Sequence, residues 1–275
     1  MQHTVGIVRF VLVTVAVIAI TAVGVKATDS LSSSQTALSI FANKLLKEEC
    51  PSGSVRIDLV DGSLCVDTYE NSVGDACPVA LPRSIIDTAN NIESQECNAV
   101  SVPSAVPWTV VSFLQAKELC ARRGMRLPSH HEWYEAALGT PDTQKTCNVQ
   151  GNIGMTGTFP ECRSTRGMFD MVGNVWEWVD AEVVNLVYEN RQLPTEGYVL
   201  TVDRDGVALT TTSTPQAINH NDYFWSKAEG VFVTMRGGFF NSEDDGGLYS
   251  VYAKVGTDFA GEATGFRCVK DITPM

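Results

Sequence analysis

The sequence predicts an α+β domain, rich in loops and stapled by disulfides, and three observations predict it. Eight cysteines run from Cys50 to Cys268 with no CxxC pair and no Cys/His cluster of metal-ligand spacing, so disulfides are the default reading. Two short amphipathic segments each open on a serine capping box. Elsewhere short β-type runs such as Ser54–Leu59 alternate with turns such as Asp61-Gly62.

Bulk properties set the limits. A chain of 275 residues, 44% hydrophobic and 19% charged, can bury a full core. Its net charge of -12 repels phosphate backbones and argues against nucleic acid as a partner. Residues 1–27 differ: they carry Arg9 and Lys26 but no acid, and Phe10 to Val25 is apolar apart from two Thr and one Gly. That run suits a signal peptide, with Val25-Lys26-Ala27 as a cleavage site. Extended through Gly6-Ile7-Val8 it suits an uncleaved anchor equally well. Either reading places residues 28–275 outside the cytoplasm, secreted or anchored at the cell surface, with membrane contact only through an uncleaved leader. Residues 28–49, with Ser30-Leu31-Ser32-Ser33-Ser34 and a helix predicted over 38–46, read as a stalk. Residues 50–275 form the domain, without an internal repeat.

Within the domain, proximity pairs Cys50 with Cys65, Cys77 with Cys97 and Cys147 with Cys162 among many possible connectivities, which leaves Cys120 and Cys268. The first helix follows Ser112, with Gln115 closing the box, Phe113, Ala116, Leu119 and Cys120 at helical spacing, and Gly124 as a stop. The second follows Ser129-His130-His131-Glu132 and runs through Trp133 to Leu138. His130 and His131 are sequential, so their side chains diverge by about 100° and do not share an ion; they read as exposed first-turn residues. A hairpin is predicted from Tyr198-Val199-Leu200-Thr201-Val202 and Val207-Ala208-Leu209-Thr210, turning at Asp205-Gly206, after which Asn221-Asp222-Tyr223-Phe224-Trp225 returns toward the core. This stretch either walls a binding face or is purely structural.

Several ordered motifs, spanning roughly Cys65 to Val269, resemble the formylglycine-generating enzyme (sulfatase-modifying factor) family. They are Cys65-Val66-Asp67-Thr68-Tyr69-Glu70, Arg126-Leu127-Pro128-Ser129 with Glu132-Trp133, Gly173-Asn174-Val175-Trp176-Glu177-Trp178, Arg236-Gly237-Gly238 and Gly265-Phe266-Arg267-Cys268. The resemblance implies a C-type-lectin-like fold with two helices and short antiparallel sheets, and a disulfide between Cys120 and Cys268. It also implies structural calcium held by the Asp170 carboxylate, the Gly173 and Val175 carbonyls and Glu177, hard oxygen donors of the kind calcium takes. The alternative is that Asp170 and Glu177 only hold a tight Gly-Asn turn by hydrogen bonds. The family's oxidases bind copper through two thiolates shortly after Arg-Gly-Gly, and those positions here are Ser242 and Gly247. Neither supplies a soft ligand, so copper is not expected. Iron enzymes sharing the fold use three histidines, which His3 and His220 do not complete.

Residues 239–264 therefore become the informative surface. Phe240, Asn241, Ser242, Glu243, Asp244, Tyr252, Lys254, Asp258 and Phe259 interleave aromatic and small polar groups, the composition of a recognition surface for a protein or glycan. Tyr249 and Phe266 read as core. The segment is also similar to the variable region of retroelement-diversified proteins, which end in Gly-Phe-Arg-Cys. The sequence thus predicts an exported, non-catalytic ligand-binding protein. A formylglycine-generating oxidase and a cell-envelope structural protein are the competing readings.

Overall fold

A computed structural model describes residues 50–60 and 62–272. The predicted leader, stalk and helix over 38–46 lie outside the described residues. Among the described residues no helix is long and apolar enough to cross a membrane.

The frame is a nine-stranded sheet built around β5 (Trp176–Val184) and β11 (Val231–Arg236). Outward from β5 lie β6 (Val187–Tyr188) and β7 (Arg191–Gln192). Outward from β11 lie β12 (Val251–Val255), β10 (Tyr223–Ser226), β8 (Gly197–Val202) and β9 (Ala208–Thr212). The β10–β12 pair is parallel, and β13 (Thr264–Gly265) adds to β5 in parallel; the other pairings are antiparallel. A three-stranded sheet joins β1 (Ser54–Leu59), β2 (Gly62–Asp67) and β14 (Val269–Ile272), and β3 (Asn71–Val73) pairs with β4 (Ala99–Ser101). The register of β11 shifts against both of its neighbours, the kind of irregularity that bends and twists a strand.

Both faces of the central sheet are buried near β5, so Trp176, Glu177, Trp178 and Val179 are covered in succession. One face sends Val179, Ala181, Val183, Phe224, Val251 and Ala253 into a core shared with Trp133. The opposite face sends Trp178, Val233 and Met235 into a second core with Phe113, Leu119 and Phe266. The predicted helices are present as α2 (Phe113–Arg122) and α3 (His130–Ala137), each with both reciprocal bonds of its capping box. The hairpin over 197–212 is present as β8 and β9, and Phe266 is fully buried, while Tyr249 is half-buried against Tyr134.

Among the described residues there is one α-helix beyond the two expected. Helix α1 (Ile85–Glu93) starts at Ser84, whose side chain accepts from Asp87 N–H. Its buried residues are Thr88 and Asn91, not an apolar stripe. Thr88 Oγ1 accepts from Trp108 Nε1 at 3.1 Å, and the Asn91 amide bonds both backbone groups of Val79 at 2.8 Å. These hydrogen bonds, together with Ile92 packed against the second core, hold α1 in place.

The disulfides are Cys50–Cys65, Cys77–Cys97, Cys120–Cys268 and Cys147–Cys162. The third ties α2 to the chain just before β14 across 148 residues. Replacing both Cys120 and Cys268 by alanine should lower unfolding free energy by about 2–5 kcal/mol in urea titrations; an unchanged midpoint would show that the cross-link is dispensable.

Candidate functional site

The Gly-Asn loop and the Gly-Phe-Arg-Cys strand meet at one buried ion pair. Arg267 donates from Nε to Glu177 Oε2 at 2.7 Å and from Nη2 to Oε1 at 2.5 Å, with both side chains essentially inaccessible. Its remaining donors reach the Asp67 and Phe169 carbonyls, each at 2.9 Å. Trp133 Nε1 donates to Glu177 Oε2 at 2.7 Å. Glu70 accepts from Asn174 Nδ2 and Val175 N–H, and Asp170, at φ 56°, accepts from Gly157 N–H at 2.6 Å. Burial pushes the Glu70 carboxyl well above its ordinary range, and Asp170 and Glu177 push it further. Burial likewise lifts Asp170 to about 6, against the pull of Gly157 N–H and Arg267. Burial works against the charge of Arg267, but Glu177, joined by Glu70 and Asp170, holds the guanidinium above its usual value.

This arrangement bears directly on calcium. Glu177 is engaged by Arg267 and Trp133, so it acts as a framework group and does not fit the role of a free ligand. Asp170 still fits a hard cation, because Glu70, Asp170 and Glu177 set three buried carboxyls against one guanidinium. A proton on Glu70 or a bound cation settles that surplus. Among the described residues no three His, Cys, Asp or Glu side chains gather in a way that could hold a metal by themselves, so backbone carbonyls such as those of Gly173 and Val175 would have to complete the set.

Beside this frame, Arg236 is fully buried over the face of Trp133, 4.8 Å from the ring centroid. It donates to the carbonyls of Asp205, Gly206 and Leu248 and to His130 Nδ1. Burial draws its pKa down to about 10. The expectation that His130 is exposed is corrected: it is buried edge-on against Tyr188. Arg236 has no lone pair to offer, so His130 Nδ1 accepts and Nε2–H points to Thr234 Oγ1, whose own proton goes to the Ala181 carbonyl. Burial, then Arg236, keeps this imidazole neutral. His131 is half-buried and meets Asp205 at 2.9 Å.

The two copper-aligned positions are structural. Ser242 is buried, donating to the Phe239 carbonyl at 2.8 Å and accepting from Phe239 N–H at 3.2 Å, so it is not open to a ligand as expected. A Cβ on Gly247 would fall 2.2 Å from both Asp142 Oδ2 and Asp222 Oδ1, which leaves no room for a thiolate side chain there. Those carboxyls hold the loop from below: Asp142 accepts from Leu248 N–H at 2.8 Å and Asp222 from Tyr249 N–H at 2.6 Å. Asp222 Oδ1 is buried without a hydrogen-bond partner. Burial, then Asp142, pushes Asp222 well above its ordinary value, and burial lifts Asp142 to about 6.

The remaining predicted ligand residues divide. Tyr252 and Phe240 join a continuous run of rings: Phe240–Phe239 at 5.3 Å, Phe239–Trp176 at 6.4 Å, Trp176–Tyr252 at 5.9 Å, Tyr252–Trp225 at 6.0 Å, Trp225–Tyr223 and Tyr223–Tyr198 both at 5.0 Å. All but Trp176 are half-buried. Phe239 belongs to the aromatic set read from residues 239–264, whereas sequence reasoning missed Tyr223, Trp225 and Tyr198 as members of this run. The alternation Tyr223-Phe224-Trp225 was the available signal, since it puts two rings on one face of β10, where the register sets Trp225 beside Tyr252. Lys254 pairs with Glu196. Asn241, Glu243 and Asp244 lie exposed on the loop, with Asp244 accepting from Gln144. Asp258 and Phe259 are exposed on the following loop, apart from the ring series.

A lectin-like α+β scaffold held by this arginine frame defines the class. The family profile described as sulfatase-modifying factor enzyme 1-like domain matches residues 66–272, and the chain belongs to that family. It is 28% identical over 128 residues to hercynine oxygenase of Mycobacterium tuberculosis, a match covering 38% of this chain and 30% of that protein. It is 26% identical over 144 residues to inactive C-alpha-formylglycine-generating enzyme 2 of Bos taurus, covering 42% and 48% respectively. These matches span less than half the length of either curated relative. Among solved structures, Major Tropism Determinant I1 variant aligns with TM-score 0.45 and 18% identity over 80% of this chain and 53% of that one.

Burial of the Asp142 carboxyl makes stability depend on pH. The folded state holds a proton that the unfolded chain releases above its ordinary 3.8, so the stabilising contribution is full below that value and disappears as pH rises to about 6. Above this window ionised Asp142 opposes folding by about 3 kcal/mol. Asp142→Asn keeps an acceptor for Leu248 N–H, so it should melt above the wild type at neutral pH and lose that advantage near the unfolded pKa. Melting curves at the two pH values check this; an equal deficit at both would refute it.

Proposed function

We propose that the chain is an exported ligand-binding module in which the family scaffold no longer performs copper chemistry and presents a recognition face. The observation that carries the reading is the run of half-buried aromatic rings where β12, β10 and β8 extend the sheet beyond its covered centre. Half-exposed rings offer large rigid contact area at low entropic loss, and the neighbouring exposed Asn241, Glu243 and Asp244 supply adaptable polar contacts. Two further features support it. Ser242 and Gly247, at the copper-aligned positions, are committed to backbone packing, and the Bos taurus relative is named an inactive C-alpha-formylglycine-generating enzyme.

Export is supported by four disulfides, which persist in oxidising compartments. Diversification of 239–264 by a retroelement belongs to the same proposal. Structural calcium does too, at Asp170 with the Gly173 and Val175 carbonyls, where it would replace the proton that burial leaves on Glu70. Its role there is electrostatic, neutralising buried carboxylates and stiffening the Gly-Asn turn.

Three outcomes are expected. Labelled protein applied to arrays of extracellular protein domains and glycans should bind, and Tyr252→Ala should weaken that binding by about tenfold or more with an unchanged circular dichroism spectrum; retained binding would move the site elsewhere. With Cu(I), oxygen and a sulfatase-type cysteine peptide, mass spectrometry should find no formylglycine, and conversion would restore the enzyme reading. Calcium added after chelation should raise the melting temperature by a few degrees in the wild type but not in Asp170→Asn; equal curves for the wild type would remove calcium.

A further inference from the structure

The run of rings does not end within residues 239–264. At Tyr223 and Tyr198 it enters a groove of ≈ 680 Å³ that the loop before β8 and the end of β9 enclose. Thr195, Thr211, Thr212 and Ser213 add hydroxyl-bearing residues to its lining, with Thr212 directly across from Tyr198 in the β8–β9 register and the Thr211 hydroxyl donating to the Thr195 carbonyl at 2.8 Å. Gly197 forms part of its wall: a Cβ there would meet the Thr212 carbonyl at 2.8 Å and Thr211 Cβ at 3.1 Å, so the backbones of β8 and β9 close tightly behind the groove. Tyr198 and Tyr223 meet edge to face at 85°, and Tyr223 tilts by 49° to Trp225, so successive rings turn different planes along one track.

Charge narrows what fits this track. Glu196 is the one ionisable acid lining the groove, and Lys254 of β12 pairs with it, so the lining is close to neutral. The chain as a whole carries -12, which disfavours polyanions such as sulfated or sialylated chains. A ligand must therefore present apolar faces to the rings and closely spaced neutral hydroxyls to the threonines and serine. Sugar rings do this: their axial C–H faces stack on aromatic planes while their equatorial hydroxyls exchange hydrogen bonds. An extended peptide would bring backbone groups in need of a strand edge, whereas β8 at this point is paired with both β9 and β10 and the free edge of β9 lies on the side away from β10 and Tyr223.

We propose that this groove, together with Tyr223, Trp225 and Tyr252, binds a neutral oligosaccharide. The proposal rests on the reading of the aromatic face as a recognition surface and extends it to residues 195–213, outside the segment that the sequence singled out.

The test titrates the full chain with cello-, manno-, xylo- and chitohexaose while following tryptophan fluorescence, since Trp225 lies in the track beside Tyr223. At least one hexasaccharide should quench or shift the emission with a dissociation constant of about 1 mM or tighter. Tyr223→Ala should weaken it by about tenfold. Ser213→Arg, on an exposed residue with no part in the core, should block it without changing the melting temperature. Absence of a response to all four sugars at about 10 mM would overturn the proposal, as would binding that survives both substitutions. If the sugars fail while array binding still depends on Tyr252, the glycan assignment falls and the recognition face stands. If neither is seen, both fall.

Discussion

The structure turns on a guanidinium that has no access to water. Arg267 spends its donors on Glu177, the Asp67 carbonyl and the Phe169 carbonyl, and so locks β5, the end of β2 and the loop entering the Gly-Asn turn to one point. A buried pair of this kind adds little net stability over an apolar substitute, but removal of one partner strands the other charge and typically destabilises by about 3–5 kcal/mol. Here the penalty would be compounded, because Glu70 and Asp170 also lean on the same cation. What the pair supplies is position: Trp133 completes the bond set on Glu177 and, on its ring face, carries the second buried guanidinium, Arg236.

From Arg236 the constraint passes to the candidate site. Its Nη2 holds the Leu248 carbonyl, while Asp142 and Asp222 hold the next two amide groups, so the loop after Arg-Gly-Gly is fixed from beneath at Leu248 and Tyr249. The fixed side of that loop leaves Gly247 no space for a side chain, and the outer side leaves Asn241, Glu243 and Asp244 exposed. One loop thus separates positions set by packing from positions open to change. The sheet makes the same division, since the second core runs out of covering helix beyond β11 and its aromatic residues continue half-buried across β12, β10 and β8.

Features governed by local rules were legible in the sequence. Ser112 and Ser129 with their partners three residues later define two helices, because a capping box is satisfied within one turn. The hairpin around Gly206 is equally local. Helix α1 was not legible because its inward face is Thr88 and Asn91, recognisable only once Trp108 and Val79 are known to face them. His130 was misread for an instructive reason: the divergence of two successive side chains that argues against a shared ion also lets one of them point inward. The ring series was only half visible, because β10 and β12 pair in parallel and the contact of Trp225 with Tyr252 crosses a long connection. Family motifs located the arginine frame, but the commitment of Glu177 to Arg267 follows from the geometry alone.

The residues that fix the frame are separate from those left exposed on the same loop, and that separation should show in natural variation. Counting amino-acid changes codon by codon across natural copies of this gene tests it most directly. Changes should concentrate at exposed positions within 239–264, with Arg236, Gly237, Gly238, Ser242, Gly247, Arg267 and Cys268 unchanged. Changes falling equally on those frame positions, or spread evenly over the whole surface, would contradict it.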